Sequence, residues 1–536
     1  MILGAGIMQG PALRLARDMG LETVAVDGDP RAPSAALAGR FECIDLKDRE
    51  GIEALAGSLR AGGGLSGIMT AGTDFSATVA WVAGRLGLPG IPYEAALNAS
   101  DKERMRRCFR EARVPSPDFR ILREAPGPDF LLPFAYPAVV KPVDNMGSRG
   151  CRRADTPAEL GAAVSDALRF SRSGRVIVEE YMEGPEFSVD AIIYRGGITI
   201  CGLADRHIFF PPYFIEMGHT MPTTLAEDSA GALLRVFTDG VGALGLLETG
   251  AMGAAKGDVK LTPRGPMIGE IAARLSGGYM SGWTYPYASG VEPTRGAIAV
   301  ALGRAPEGLE PRLSWTSAER AFISIPGRVG AIRGIEEARA LPRVRDLFLR
   351  AEPGKEVRFP ENNVTKCGNV ITAAPGRAEA VSAAEEAARR VLIRLEAPNA
   401  ETGRFLEGGI SPEPRFPPDA FPVTAELAAR LAELPETAVT GLPAIGPAED
   451  LPALSLIPFP AFTQSDLRDY GGRTAEESLE AVRRLTKLSL PPPSPDKPGD
   501  GVLGRSFWTA LIRGGYQGGT YFLDRLIRHM GREPNG

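Results

Sequence analysis

The chain has 536 residues, of which 44% are hydrophobic and 24% charged, and carries a net charge of −5 with a pI near 5.7. That length is too great for one core and calls for three or four domains. The mild acidity gives no electrostatic ground for nucleic acid or an anionic membrane as partner.

No apolar run reaches the roughly 18 residues that span a bilayer. The apolar start MILGAGIMQGP lacks the basic flank and cleavage pattern of a signal peptide and reads as a first β-strand. The five cysteines, at 43, 108, 151, 201 and 367, are scattered and include no CxxC. Reduced thiols in a cytoplasmic protein are expected, and neither a disulfide frame nor a zinc site.

In residues 1–95 short apolar strands (1–3, 23–26, 68–70) alternate with helical stretches (11–19, 74–86), a βαβ pattern that implies a parallel sheet. Gly4-Ala5-Gly6-Ile7-Met8-Gln9-Gly10 matches GxGxxxG, and Asp27 stands about where a ribose-binding acid would be. Alone this is a weak dinucleotide fingerprint. Residues 98–113 read as one charged amphipathic helix, stopped by Val114-Pro115-Ser116-Pro117.

Residues 136–142 read as a buried strand carrying Lys141. The loop Asp144-Asn145-Met146-Gly147-Ser148-Arg149-Gly150 follows, and its backbone N–H groups could cover phosphates. A further strand, 175–182, ends in Glu179-Glu180-Tyr181-Met182 and leads to Glu183-Gly184-Pro185-Glu186. Between Asp258 and Glu270 the sequence DVKLTPRGPMIGE holds two apolar runs around Thr262-Pro263-Arg264-Gly265, the signature of a β-hairpin. Its flanking carboxylates then lie on neighbouring strands and could share one or two divalent cations, although such acids are more commonly solvated surface. Mg²⁺ favours one or two carboxylates together with phosphate oxygens.

Lysine strand, glycine-rich loop, EEYMEGPE hinge and carboxylate hairpin occur in the order and spacing of the ATP-grasp superfamily. The resemblance runs from about residue 2 to about residue 395, and within the superfamily it is strongest to carboxylate–amine ligases, including dipeptide-forming L-amino-acid ligases. It implies a multi-domain α/β architecture. A Rossmann-like parallel-sheet domain (1–95), which in that family binds no dinucleotide, precedes an ATP-grasp core (96–315) with a lid at about 118–185. A closing α+β domain (316–398) contains strands 320–325 and 369–372 and a helix 378–395. Residues 399–536 lie outside the resemblance. They contain helical candidates at 424–434, 475–488, 504–511 and 521–530 and a proline-rich linker at 491–498.

The resemblance further implies roles. Lys102, Lys141 and Ser148 would meet ATP phosphates, backbone groups of Glu179, Glu180, Tyr181 and Met182 the adenine, and Glu186 the ribose. Asp258 and Glu270 would hold Mg²⁺, with Mn²⁺ as an alternative. The second metal motif of the family reads Glu-h-N-x-R, whereas here it is Glu270-Ile271-Ala272-Ala273-Arg274, and Ala272 cannot coordinate. Arg274 would grip the acyl-phosphate and the substrate carboxylate, with Gly277 and Gly278 allowing close approach. Of the three histidines, His219 lies in the aromatic-rich segment 205–219, expected as a loop. It and Glu216 match acceptor-site residues of the dipeptide-forming ligases; His207 is less clearly involved, and His529 reads as surface.

The activity so implied is ATP-dependent joining of a carboxylate and an amine, both expected to be amino acids, through an acyl-phosphate, with ADP released and a homodimer admissible. Another ATP-grasp chemistry, such as carboxylation or a purine-pathway ligation, and a non-catalytic nucleotide-binding role are the alternatives.

Overall fold

The computed structural model describes residues 1–127, 129–439, 454–494 and 501–529. They fall into two compact units, one of residues 1–319 with 371–381, the other of 320–370 with the described residues from 382 onward. This division differs from the four consecutive segments expected from sequence.

The first unit opens with strands β1 (Ile2–Leu3), β2 (Val24–Asp27), β3 (Arg40–Cys43) and β4 (Met69–Thr70), all parallel in the order β3-β2-β1-β4. Helices Gly10–Asp18, Arg49–Ala61 and Ser76–Leu86 alternate with them. Both faces of the central strands are apolar and buried, as crossover helices require. The glycine-rich turn after β1 is occupied by its own chain: Asp27 Oδ2 accepts the Ala5 N–H at 2.8 Å, and Gln9 Oε1 accepts the Gly6 N–H at 2.9 Å.

The single helix expected over 98–113 is two, Tyr93–Ser100 and Lys102–Ala112. Asp101 is extended between them (φ −111°, ψ 115°), and its carboxylate accepts the N–H groups of Glu103 and Arg104. Aspartate caps a helix start better than it continues one. The break makes Lys102 the first residue of the second helix.

A small four-stranded sheet follows: β5 (Phe119–Leu122), β6 (Ala138–Pro142), β7 (Arg152–Ala154) and β8 (Val176–Glu180), in the order β5-β8-β6-β7. The helix Pro157–Phe170 lays Leu160, Ala163, Val164 and Ala167, one helical stripe, on Ala138, Val140, Val176 and Val178. The unit's large sheet contains β9 (Glu186–Tyr194), β10 (Gly197–Phe209), β11 (Ile215–Met221), β12 (Met252–Thr262) and β13 (Gly265–Ala272), antiparallel in the order β13-β12-β9-β10-β11. Leu233, Phe237 and Val241 of the helix Glu227–Ala243 share a core with Val259, Ile268 and Ile271. Gly257 permits that approach, since a Cβ there would stand 2.5 Å from the Phe237 ring.

Segment 205–219 is not a loop. Most of it belongs to β10 and β11, paired from Asp205↔Thr220 to Phe209↔Ile215 with a bulge between His207 and Ile208. Prolines 211 and 212 and the aromatics around them occupy only the connection between these strands.

In the second unit, strands Gly327–Arg333, Glu356–Val357 and Leu392–Leu395 form a sheet, the first lying between the others. The helix expected over 378–395 ends at Arg390, and 392–395 is a strand instead. Leu392 and Leu395 prolong the helical spacing in sequence, but Arg394 is fixed by Asp524 at 2.7 and 2.9 Å and by the Leu485 carbonyl at 3.0 Å. Helices Ala400–Glu407, Ala425–Glu433, Ala475–Thr486 and Arg505–His529 follow. The last spans both helical candidates expected there and is broken at Gly515 (φ 60°, ψ −150°). Their core gathers Phe421, Phe462, Val482, Phe507, Trp508 and Leu511. Of the proline-rich linker, 495–498 lie outside the described residues, as does residue 530. No helix among the described residues is long and apolar enough to cross a membrane.

Candidate active site

Lys141 and Glu179 stand on adjacent strands, β6 and β8, with Val139↔Glu179 and Lys141↔Ile177 in register. Lys141 Nζ lies 2.7 Å from Glu179 Oε2, and Arg106 Nε lies 2.9 Å from Glu179 Oε1. Burial would raise the Glu179 carboxyl, but Arg106 and Lys141 outweigh it and hold it below its ordinary value. An ionised Glu179 therefore holds the Lys141 ammonium in place. Lys102, 5% exposed, donates to the Asn145 carbonyl at 2.8 Å and stands 3.3 Å from Glu270 Oε1. Burial would lower its pKa, yet Glu270 and Asp74 raise it.

The loop 144–150 is tied down by Asp144, which accepts the N–H groups of Arg172 and Ser173 at 3.1 and 2.7 Å. Gly147, Ser148 and Gly150 all have left-handed φ, of 66°, 59° and 69°. Part of the loop is closed on itself, the N–H of Arg149 donating to Met146 O and that of Cys151 to Ser148 O. At the hinge, the N–H of Glu180 donates to Asp118 O at 2.9 Å and that of Tyr181 to Pro137 O at 3.2 Å. The Glu180 carboxylate turns outward to Arg264 at 2.8 Å. The Tyr181 ring lies against Phe214, with the Arg153 guanidinium 4.8 Å from its centroid. Gly184, with φ +121°, must be glycine, because a Cβ would stand 2.1 Å from the Leu261 carbonyl.

Arg206 is a second node. Its guanidinium meets Glu216 at 2.7 Å, Asp258 at 2.8 Å and Glu186. Burial would lower its pKa, but these three carboxylates hold it well above the ordinary arginine value.

Asp258 and Glu270 face each other across β12 and β13 beside a bulge at Asp258–Val259, so their side chains share one face. Asp258 accepts from Ser188 Oγ at 3.0 Å and contacts Arg206 and Lys256. Burial alone would raise its pKa; Arg206 and Lys256 hold it at about 2. Glu270 is likewise lowered against burial, by Lys102, Lys256 and Lys141. Among the described residues no cluster of three or more His, Cys, Asp or Glu side chains could hold a metal ion. Two facing ionised carboxylates fit a cation whose other ligands are phosphate oxygens, the usual Mg²⁺ arrangement.

Arg274 follows β13 half-buried. Its Nη1 donates to the Leu275 carbonyl at 3.0 Å, its Nε has no hydrogen-bond partner, and among the described residues it forms no ion pair. A guanidinium so placed is available to an anion. Gly277 runs against Gly72, where a Cβ would meet backbone at 3.4 Å, and Gly278 (φ +62°) passes 3.4 Å from Glu216 Oε1 by the same measure. His219 is fully buried: its Nε2 lies 2.9 Å from Thr284 Oγ1, and its Nδ1 3.3 Å from Glu319 and 3.9 Å from Glu216. His207 instead meets Thr220 at 3.0 Å, and His529 is exposed.

The structure thus gathers Lys102, Lys141, Glu179 and Glu270 in one cluster, and Glu186, Glu216 and Asp258 around Arg206 in another, joined where Asp258 faces Glu270. The Glu180 carboxylate turns to Arg264, which leaves the backbone role expected of Glu180 untouched. Sequence reasoning missed Arg106, Arg206, Lys256 and Glu319. Arg106 is four residues after Lys102 on one helix face, and Lys256 two residues before Asp258 on one strand face, spacings that could have found them. Glu319 carries no local signal.

Residues 134–281 match the ATP-grasp domain family, and residues 321–396 match the L-amino acid ligase C-terminal domain 2 family. The chain is 26% identical over 446 residues to carnosine synthase 1 of Gallus gallus, covering 76% of this chain and 46% of that protein. It is 31% identical over 172 residues to a D-alanine–D-alanine ligase of Marinobacter nauticus, covering 30% of this chain and 51% of that one. The aligned part is thus about half the length of each relative. The crystal structure of an L-amino acid ligase from Bacillus licheniformis superposes with a TM-score of 0.64 at 21% identity, over 74% of this chain and 98% of that one.

Proposed function

We propose that the chain is an ATP-dependent carboxylate–amine ligase acting on amino acids, a reading supported by the match of residues 134–281 to the ATP-grasp domain family and of residues 321–396 to the L-amino acid ligase C-terminal domain 2 family. The observation that supports this reading most is the gathering of Lys102 and Lys141 with Glu179 and Glu270, with Asp258 facing Glu270 across β12 and β13.

In the reaction proposed, a substrate carboxylate oxygen attacks the γ-phosphorus of ATP, the bond to the bridging oxygen breaks, and ADP leaves. Lys102, Lys141 and the N–H groups of loop 144–150 neutralise the phosphates, with Met182 and the Glu180 carbonyl at the adenine edge and Glu186 at the ribose. A divalent cation held at Glu270, beside the facing Asp258, would supply further charge neutralisation at the transferring group. Arg274 orients the substrate carboxylate and then the acyl-phosphate. Glu216 receives the ammonium of the second substrate. A proton lost from that ammonium passes to the Glu216–His219–Glu319 group, the amine attacks the carbonyl, and phosphate leaves. The overall balance is carboxylate, amine and ATP to amide, ADP and phosphate.

A panel of amino-acid pairs with ATP and Mg²⁺, scored for ADP and for amide product, tests this. ADP release with an amide supports it; ADP release that needs bicarbonate replaces it with a carboxylase, and nucleotide binding without turnover replaces it with a binding role.

A further inference from the structure

Resting on the proposed nucleotide site, we infer that Lys256 is a built-in cation that takes one of two divalent-ion positions, leaving Glu270 as the carboxylate that holds a single metal ion. The two facing carboxylates are not equivalent. Both Asp258 oxygens are engaged, Oδ1 by Ser188 at 3.0 Å and Arg206 at 2.8 Å, and Oδ2 by Lys256. Among the described residues Glu270 forms one ion pair, with Lys102 at 3.3 Å, and its side chain is 32% exposed against 13% for Asp258.

The register explains how the ammonium comes to lie there. Lys256 and Asp258 occupy one face of β12 two residues apart, and their partners on β13 are Ala272 and Glu270. Opposite Lys256 stands a buried methyl group with no ligand atom, so this half of the quartet offers a cation no second protein ligand. The Lys256 side chain itself is 12% exposed and is paired with Asp258. On the other side, Asp190 pairs with Lys256 across β9, but its carboxylate is taken by the N–H of Ser276 at 3.0 Å and by Ser281 at 3.1 Å. Lysine is a compact point charge, so it can offset phosphate charge as an ion does, but without exchanging and without adding a ligand position for substrate.

The test counts bound Mn²⁺ by electron paramagnetic resonance in the intact chain with saturating ADP. One Mn²⁺ per chain is expected for the wild type and for Asp258→Asn, and none for Glu270→Gln. The double variant Lys256→Met/Ala272→Asn is expected to bind two, with ADP affinity and thermal melts establishing that each variant is folded. Two Mn²⁺ in the wild type, loss of the ion in folded Asp258→Asn, or one ion in the folded double variant overturns the assignment while leaving the nucleotide site intact. Absence of any ADP-dependent Mn²⁺ in the wild type overturns the nucleotide site as well.

Discussion

Arg206 and Glu216 meet at 2.7 Å with both side chains about nine-tenths buried. The same guanidinium holds Glu186 and Asp258, so the carboxylate proposed for the amine is linked through one side chain to those proposed for ribose and metal. An arriving ammonium would compete with Arg206 for Glu216, and ATP would compete for Glu186.

Glu216→Gln is therefore expected to raise KM for the amine substrate at least about tenfold, the size of a lost charge-assisted contact, with KM for ATP changed far less. Initial rates with both substrates varied decide it. Equal changes in the two KM values would move the ammonium site elsewhere.

His219→Ala is expected to lower kcat more than either KM, because the imidazole lies between Glu319 and Glu216 beside the proposed reacting carbonyl. It will also cost stability, since His219 is fully buried against Thr284. Thermal melts beside kinetics separate the effects; a lower Tm with unchanged kcat would make the residue purely structural.

Lys141→Ala should weaken ATP binding by a few kcal/mol, the value of a buried contact to a charged group, and Glu186→Gln should do so less. Calorimetry on folded protein measures both. Unchanged ATP affinity in Lys141→Ala would displace the phosphate site from β6. Lys141→Met is a useful companion, because it keeps the stem packed while leaving Glu179 only Arg106.

Glu270→Ala is expected to abolish turnover with the fold intact, since its side chain is partly exposed and its cation partner Lys102 retains the Asn145 carbonyl. Circular dichroism and ADP release check the two halves of that statement.

Stability should fall with acid. Glu179, Asp258 and Glu270 are all lowered in the folded protein, Asp258 to about 2. Their contribution is complete above the unfolded carboxylate values near 4 and disappears as pH drops through the folded ones. Asp190, raised by burial against its bonds to Ser276 and Ser281, acts in the opposite sense and loses its contribution as pH rises. Denaturant midpoints between pH 7 and 2.5 should decline most steeply below about pH 4, and Glu179→Gln should flatten the decline.

The positions of the strands that carry Lys141, Asp258 and Glu270 were legible because each depends on a local pattern: alternation, a Pro/Gly turn, a lysine ending an apolar run. What escaped were partnerships made at a distance. Nothing near Arg206 in sequence announces Glu186 and Asp258, and nothing near His219 announces Glu319. The extent of helices misled where one residue decided against a period, Asp101 by capping and Gly515 by its backbone angles. Segment 205–219 looked like a loop because its prolines and aromatics crowd one turn, hiding the strands on either side.

The clasp of Arg394 by Asp524 bears on how this chain can be shortened. The region beyond residue 398 has no counterpart in the stretch that resembles ligases, which invites its removal as a detachable appendage. Yet the strand 392–395 depends on it: Asp524 holds Arg394, and the hydroxyl of Tyr516 accepts the Ile393 N–H at 2.9 Å. Ending the chain at 398 would remove Asp524 and the Leu485 carbonyl, which hold Arg394, together with the Tyr516 hydroxyl and the apolar side chains that bury Leu392. A chain trimmed at 398 is therefore expected to melt below the full chain, with the strand 392–395 the first part to lose its order.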